Sequence, residues 1–250
     1  MATPARIVAA GRGARWLGTG WRLFRAAPLS WIALVFTYYL LMIVVSFIPL
    51  VGSAAIWALM PPFSVGFMAA SRAAAGRDPV SLEQLFSGFR AGLRGQLALG
   101  GAYVASVALV LAAAVLLAGD PLKQWILAGK LTQDAFGALW IVAALYVPVM
   151  MMFWFAPVLV AWHGVTPLKA LFFSFVACLL NWRAFLVYGA LAILMTMGVS
   201  LLALSAKVVV LGSSLVGPGD LIIPMLLVMP TLFASFYVSY RDVFATTEPS

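Results

Sequence analysis

Long apolar stretches of similar length, separated by short segments that hold most of the charged residues, form the main pattern along this chain. A helix needs roughly 20 apolar residues to cross the hydrocarbon core of a bilayer, and each stretch is about that long. The pattern predicts an all-α fold, a polytopic membrane helix bundle of about six transmembrane helices. The predicted spans are approximately Trp31–Leu50, Val51–Ser71, Leu97–Ala118, Phe136–Ala161, Ala184–Ala206 and Leu221–Tyr240.

An amphipathic segment precedes the third span and predicts a helix on the membrane surface. Ser81 can cap its N-terminus, with Gln84 three residues later to complete a capping box. Its apolar side chains follow helical spacing, and its charged side chains lie off that face. These apolar residues are Leu82, Leu85, Phe86, Phe89 and Leu93.

Less regular segments precede the first and fifth spans. In the first of them, Leu17, Trp21 and Phe24 lie opposite several arginines, which again predicts an interfacial helix. The other, residues 168–181, is almost entirely apolar but too short to cross a bilayer. It predicts a re-entrant or protein-buried segment.

The same order of elements therefore occurs three times, and we interpret it as a possible threefold repeat of a short helix and a helical hairpin. A phenylalanine stands shortly before each odd-numbered span, and each even-numbered span contains a proline followed by apolar or small residues. These residues are Phe24, Phe89 and Phe175, and Pro62, Pro157 and Pro230. Chance similarity among apolar segments is the alternative explanation.

The basic residues are distributed unevenly between the two sides of the predicted membrane. The chain has 15 Lys and Arg against 7 Asp and Glu, and twelve of the basic residues fall in alternate connecting segments. The positive-inside rule assigns that side to the cytoplasm, so we expect a bacterial inner-membrane protein with both termini cytoplasmic. The predicted organisation is a basic cytoplasmic N-terminal or interfacial segment (1–29), a six-helix transmembrane domain (30–241) and a short cytoplasmic tail (242–250).

The third predicted span is rich in glycine, alanine and serine, beginning with Gly100 and Gly101. Small side chains let neighbouring helix backbones approach closely in lipid. We therefore expect this span to pack closely against its neighbours and to lie centrally in the bundle.

Side chains that usually carry catalysis are scarce. Cys178 and His163 are the single cysteine and histidine, which leaves no cluster for a metal or redox site. The six predicted spans contain no ionisable side chain of the Asp, Glu, Lys, Arg or His type, and no common catalytic motif occurs. We favour a snorkelling role for Lys207, just beyond the fifth span, over a buried functional charge. We expect no enzymatic activity, no cofactor, no metal and no nucleic-acid partner.

The arginine-rich segments next to the spans point instead to the bilayer, and to anionic lipids in particular, because such lipids attract basic residues at the membrane surface. A membrane protein partner is a second possibility for the same surface. The candidate lipid or partner contacts are Arg22, Arg25, Arg90, Arg94, Lys169 and Arg183. The leading hypothesis is a non-enzymatic membrane scaffold or lipid- or partner-binding protein. The alternative is an uncoupled permease or exporter of a hydrophobic or neutral solute.

The run Trp154–Gly164, together with Pro167–Leu171, Ser174-Phe175 and Asn181-Trp182, resembles a family of uncharacterised multi-pass inner-membrane proteins of proteobacteria. More loosely, the layout is similar to the membrane domains attached to some bacterial glycerophosphodiester phosphodiesterases. Those enzymes hydrolyse their substrate in a separate soluble domain. The resemblance therefore implies a location and an architecture, and it transfers no activity and no site residue.

Overall fold

The computed structural model describes residues 5–49, 51–120, 122, 133–212 and 222–244. Over these residues the chain forms nine α-helices and no strand, with a 3₁₀ turn at Leu82–Phe86. The helices are α1 (Arg12–Ala26), α2 (Pro28–Ser46), α3 (Gly52–Gly76), α4 (Ser87–Arg90), α5 (Leu93–Ala118), α6 (Gln133–His163), α7 (Pro167–Leu180), α8 (Trp182–Leu211) and α9 (Ile222–Phe244). The predicted all-α helix bundle is confirmed.

Five helices in the described part of the chain are long and apolar enough to cross a membrane: α2, α3, α5, most of α6 and α8. The sixth predicted span coincides with α9, which has 23 residues. A helix of this length measures about 34 Å, close to the thickness of the hydrocarbon core. That α9 crosses the membrane stays a prediction.

The order of elements is a short helical segment followed by two long helices, three times over, in agreement with the predicted repeat. Unit 1 is α1–α3, unit 2 is residues 82–163 and unit 3 is α7–α9. Each short segment packs on the second long helix of another unit: residues 82–90 on α3, α7 on α6, and α1 on α9. The third contact joins the beginning of the described chain to its end.

The helix at residues 82–90 is shorter than the sequence pattern suggests. Gln84 does complete the cap, because its Oε1 atom accepts a hydrogen bond of 3.0 Å from the Ser81 N–H. The 3₁₀ turn and α4 then end at Arg90, and Gly92 has a φ of +72°, in the left-handed region that glycine adopts without strain. Leu93, predicted to belong to the same helical face, begins α5 instead.

The glycine-rich third span makes the close approach that its composition predicts. A Cβ atom added at Gly100 would lie only 2.1 Å from the carbonyl oxygen of Ala58 in α3. The expected central position is wrong, however, because 17% of the apolar window of α5 is buried, against 44% for α3. α5 packs mainly on α3 and α6, with smaller contacts to α4 and α7.

The structure adds detail to two expectations, on the buried side of α1 and on the ionisable residues of the fifth span. In α1 the fully buried aromatic residue is Trp16, whereas Trp21, which the sequence pattern assigns to the apolar face of an interfacial helix, is 42% exposed. α8 begins at Trp182 and continues to Leu211, so the candidate span within it includes Arg183 near its start and Lys207 near its end, both beyond the predicted bounds of the fifth span. The connection between the third and fourth predicted spans, residues 119–135, and the end of the predicted tail lie largely outside the described residues.

A candidate binding surface at the arginine-rich end

The C-terminal ends of α3, α6 and α9 meet at one end of the bundle. The ring of Trp162 in α6 packs edge-on against Tyr240 in α9, with 5.4 Å between centroids. His163 Nε2 lies 2.6 Å from the Tyr240 hydroxyl, in a hydrogen bond. We call this region the arginine-rich end and define it by its arginines. They are Arg12, Arg15, Arg22, Arg72 and Arg241.

One pocket at this end lies between α3, α6 and α9 and has a volume of about 500 Å³. Arg72 places its guanidinium over the Trp162 ring at 5.6 Å, and Arg241 places its guanidinium over the Tyr237 ring at 6.0 Å. Stacking on an aromatic ring attracts the cation and limits its orientations, while the planar guanidinium keeps its N–H groups available. The pocket therefore has two oriented cations in its wall, with Asp78 as its single acidic lining residue.

A second pocket, of about 410 Å³, lies between α1 and α9 and shares Arg241 with the first. Its acidic lining residue, Asp242, is already paired with Arg12. The two pockets together contain five arginines and two aspartates, so the arginine-rich end has an excess of positive charge. Such a surface attracts phosphate and carboxylate groups.

Asp242 also fixes α1 to α9. The Nε and Nη2 groups of Arg12 donate hydrogen bonds to the Asp242 carboxylate. The indole N–H of Trp16 donates a hydrogen bond of 2.6 Å to Asp242 Oδ2. Hydrogen bonding to Asp242 raises the pKa of the Arg12 guanidinium. Because the sequence-based division placed residue 242 in the tail, this role of Asp242 was not predicted.

Asn181, between α7 and α8, holds the segment that precedes α1. Its Oδ1 atom accepts a hydrogen bond of 2.8 Å from the Val8 N–H, and its Nδ2 group donates to the Arg6 carbonyl at 2.9 Å. The Arg6 N–H donates to the Val243 carbonyl at 2.9 Å. The arginine-rich end is thus built from residues at opposite ends of the described chain.

The six basic residues predicted as lipid or partner contacts are all exposed, but they do not form one site. Only Arg22 lines a described pocket. Arg25 lies over the Trp21 ring at 5.7 Å and Arg183 over the Trp182 ring at 5.4 Å. The other three predicted contacts, which line neither pocket, are Arg90, Arg94 and Lys169.

Arg15, Arg72 and Arg241 line these pockets but were not among the predicted contacts. A signal for two of them was present in the predicted repeat, because Arg72, His163 and Arg241 each stand near the end of an even-numbered span. Equivalent ends of repeated helices lie close together when the units are arranged around a common centre. Among the described residues, no group of three or more His, Cys, Asp or Glu side chains could hold a metal ion.

Comparison with known proteins places the chain among inner-membrane proteins. It is 41% identical to the probable inner membrane protein BTH_II0599 of Burkholderia thailandensis, over 97% of this chain and 94% of that protein. No family model and no solved structure matches the chain. The comparisons show no link to the membrane domains of glycerophosphodiester phosphodiesterases. Identity at this level over nearly the full length of both proteins means that the chain belongs to the same family of inner-membrane proteins.

Proposed function

We propose that this protein is a non-enzymatic inner-membrane scaffold that binds anionic phospholipids through its arginine-rich end, in the cytoplasmic leaflet. The observation that supports this most directly is the pair of pockets that share Arg241. The proposed orientation follows from the positive-inside rule, which places the arginine-rich end toward the cytoplasm. The cytoplasmic leaflet is also the one with a negative surface potential.

The chemistry of the pocket walls suits a phosphodiester. A guanidinium presents a planar fork of N–H donors that can bind two phosphate oxygens at once. Arg72 and Arg241 lie in the wall of one pocket, each stacked on an aromatic ring, so their side chains lose less freedom when a phosphate binds. The surrounding aromatic rings, Trp162 and Tyr237, are of the type that prefers the headgroup region.

The test compares two double variants with the same loss of charge. Arg72 and Arg241 are changed to Gln in one, and Arg90 and Arg94 are changed to Gln in the other. Hydrogen bonds to charged groups contribute about 1.5–3 kcal/mol, so loss of the two pocket guanidinium groups should lower the preference for anionic lipid by about 2 kcal/mol more than loss of two surface charges, on the order of 30-fold. The measurement is the ratio of phosphatidylglycerol to phosphatidylethanolamine retained by the purified protein, by native mass spectrometry.

The second variant serves as the matched control. Arg90 and Arg94 are exposed but line neither pocket, so their loss should change the lipid ratio by a small factor. Equal effects of the two double variants would contradict a pocket and would favour a diffuse basic surface. Loss of a stoichiometric co-purifying protein, without a change in lipid ratio, would instead favour a protein partner at the same surface.

An uncoupled permease for a neutral or hydrophobic solute is the second candidate, and one observation favours it. A cavity of about 160 Å³ lies between α3, α5, α6 and α9, with Pro61 and Pro157 in its wall. The hydroxyl groups of Tyr103 and Tyr146 hydrogen-bond to each other there. Proline inside a helix removes a backbone hydrogen bond and permits bending, as a gated pathway requires. Solute flux into proteoliposomes tests this function, and its absence across a panel of neutral solutes would count against it.

A further inference from the structure

The three units are packed alike except at one position. The first long helix of unit 1, α2, packs on α9, and the first long helix of unit 2, α5, packs on α3. Each therefore contacts the second long helix of the preceding unit. The corresponding contact in unit 3 would join α8 to α6, but the backbones of these helices hardly approach each other. A groove of about 540 Å³ lies there instead.

The groove is apolar along both walls. Val147, Met150 and Trp154 of α6 form one wall, and Leu186, Gly189 and Ile193 of α8 form the other. The polar atoms of the two large rings nearby already have partners. The indole N–H of Trp154 donates to Ser239 Oγ at 3.3 Å, and the Tyr188 hydroxyl lies 2.7 Å from Ser235 Oγ. The walls therefore present apolar atoms to a ligand, and the flexible side chain of Met150 can adapt to its shape.

The surroundings of the groove determine what can fill it. Both α6 and α8 contain candidate membrane spans, and Ile193 at the rim is 62% exposed. A groove in a spanning segment that is open on its outer side is in contact with lipid acyl chains. Its volume lies within the range of about 300–1,000 Å³ that is usual for small-molecule sites.

A cation stands beside one end of the groove. Trp182 contributes to the groove wall, and the guanidinium of Arg183 lies over its ring at 5.4 Å. An anionic phosphate near Arg183 would place the attached acyl chains next to the apolar walls. We propose that the groove between α6 and α8 is a binding site for one acyl chain of a phospholipid whose phosphate pairs with Arg183. The site shares no lining residue with the pockets of the arginine-rich end.

A pair of glycines in α8 provides a matched test. Gly189 lines the groove and Gly198 does not, and an added Cβ would meet no atom within 4 Å at either position. We expect Gly189→Phe to fill the groove, so that native mass spectra of the purified full-length protein show one retained phospholipid fewer than those of the unchanged protein. Gly198→Phe should retain the lipid as the unchanged protein does. Equal retention in both variants would overturn the proposal.

Labelling of the unchanged protein tests the site without any substitution. A phospholipid with a photoreactive group in its acyl chain, present in the membrane before purification, should label peptides with Met150 and Leu186. Labelling spread evenly over the outer surface of α8, including Leu201 and Leu202, would indicate surrounding lipid only and would overturn the site. Arg183→Gln should reduce the share of phosphatidylglycerol among the labelling lipids, and an unchanged share would remove Arg183 from the proposal.

Failure of this inference can be distinguished from failure of the proposed function. Substitution of Arg72 and Arg241 by Gln removes the oriented cations of the arginine-rich end but leaves the groove unaltered. Groove labelling should therefore persist in that variant. Its loss would show that the acyl chain depends on the distant pocket and would overturn the assignment of a separate site.

Discussion

The helix α1 and the segment 82–90 take the same place in units 1 and 2, yet different interactions hold them. The segment 82–90 follows α3 after five residues and packs on it through small side chains and aromatic rings. A Cβ atom at Gly88 would lie 2.0 Å from the Pro62 carbonyl oxygen, and the rings of Phe63 and Phe89 are 5.0 Å apart. α1 also approaches α9 closely, at Gly20, but an ion pair and a buried indole hydrogen bond to Asp242 hold it in addition.

Sequence separation gives a physical reason for the difference. Arg12 and Asp242 are 230 residues apart, roughly nine times the separation of Gly88 and Pro62. Each doubling of a flexible loop adds about 0.6 kcal/mol to the entropic cost of closure, so about 2 kcal/mol is the upper limit of the extra cost here, because much of the intervening chain is helical. Hydrogen bonds to charged groups stabilise by about 1.5–3 kcal/mol each, which is enough to offset that difference. Close packing suffices for the short loop, and the long loop has directional contacts with charge in addition to close packing.

The largest expected effect is that of Asp242→Ala. This change leaves the Arg12 guanidinium without its partner and the buried Trp16 N–H without an acceptor, so we expect a loss of about 3 kcal/mol in the free energy of unfolding. Chemical unfolding in detergent micelles measures this loss. Hydrogen exchange should accelerate in α1 while the segment 82–90 keeps its protection. Asp78→Asn, at the exposed rim of the first pocket, is the control.

Unchanged hydrogen exchange in α1 of the Asp242→Ala variant would contradict the role of Asp242 in holding α1 against α9. In that case the close contacts of Gly13 and Gly20 with the backbones of α8 and α9 would be sufficient to hold α1.

A smaller effect is expected from Gly88→Ala. The new methyl group would overlap the Pro62 carbonyl, so the segment 82–90 must move away from α3, at a cost of about 1–3 kcal/mol. Gly101→Ala is the matched control, because a Cβ atom there meets no atom within 4 Å. Exchange should now accelerate at residues 82–90 and remain slow in α1, which is the reverse of the pattern for Asp242→Ala. Equal stability of the two alanine variants would show that helix packing here tolerates a methyl group.

The smallest effect is expected from Gln84→Ala, which removes one of the two hydrogen bonds of the capping box and leaves the packing of the segment unchanged. The Ser81 N–H loses its side-chain acceptor, and loss of a helix cap typically costs about 1 kcal/mol. Because the site is on the surface, water can replace part of the lost hydrogen bond. The change should increase exchange at the first residues of the 3₁₀ turn only. An effect as large as that of Gly88→Ala would mean that the cap, rather than the packing, holds this segment.

Much of the fold was predictable because it depends on local sequence. The lengths of the apolar stretches locate the long helices, and the Ser81 and Gln84 pair locates the start of the short one. For the candidate site, the kind of residue was predictable, but the particular residues that form it were not. Arginines next to the spans were expected to matter, but Arg22 is the single predicted contact that lines either pocket. The partners of Arg12 and Arg72 come from other helices, and no local pattern indicates which helix that is.

The sequence by itself determined the helical class, the apolar spans and the uneven distribution of charge, since each depends on residues close together in the chain. The tertiary structure alone decided which side of α1 is buried, that Asp242 pairs with Arg12, that Arg72 and Arg241 share a pocket, and that α6 and α8 stay apart. The physical reason lies in the solvent. Lipid hydrocarbon is as apolar as the interior of the bundle, so hydropathy does not mark the faces on which membrane helices pack. Those faces are selected by close contacts between small residues and by a few polar pairs, and both depend on the final arrangement of the helices.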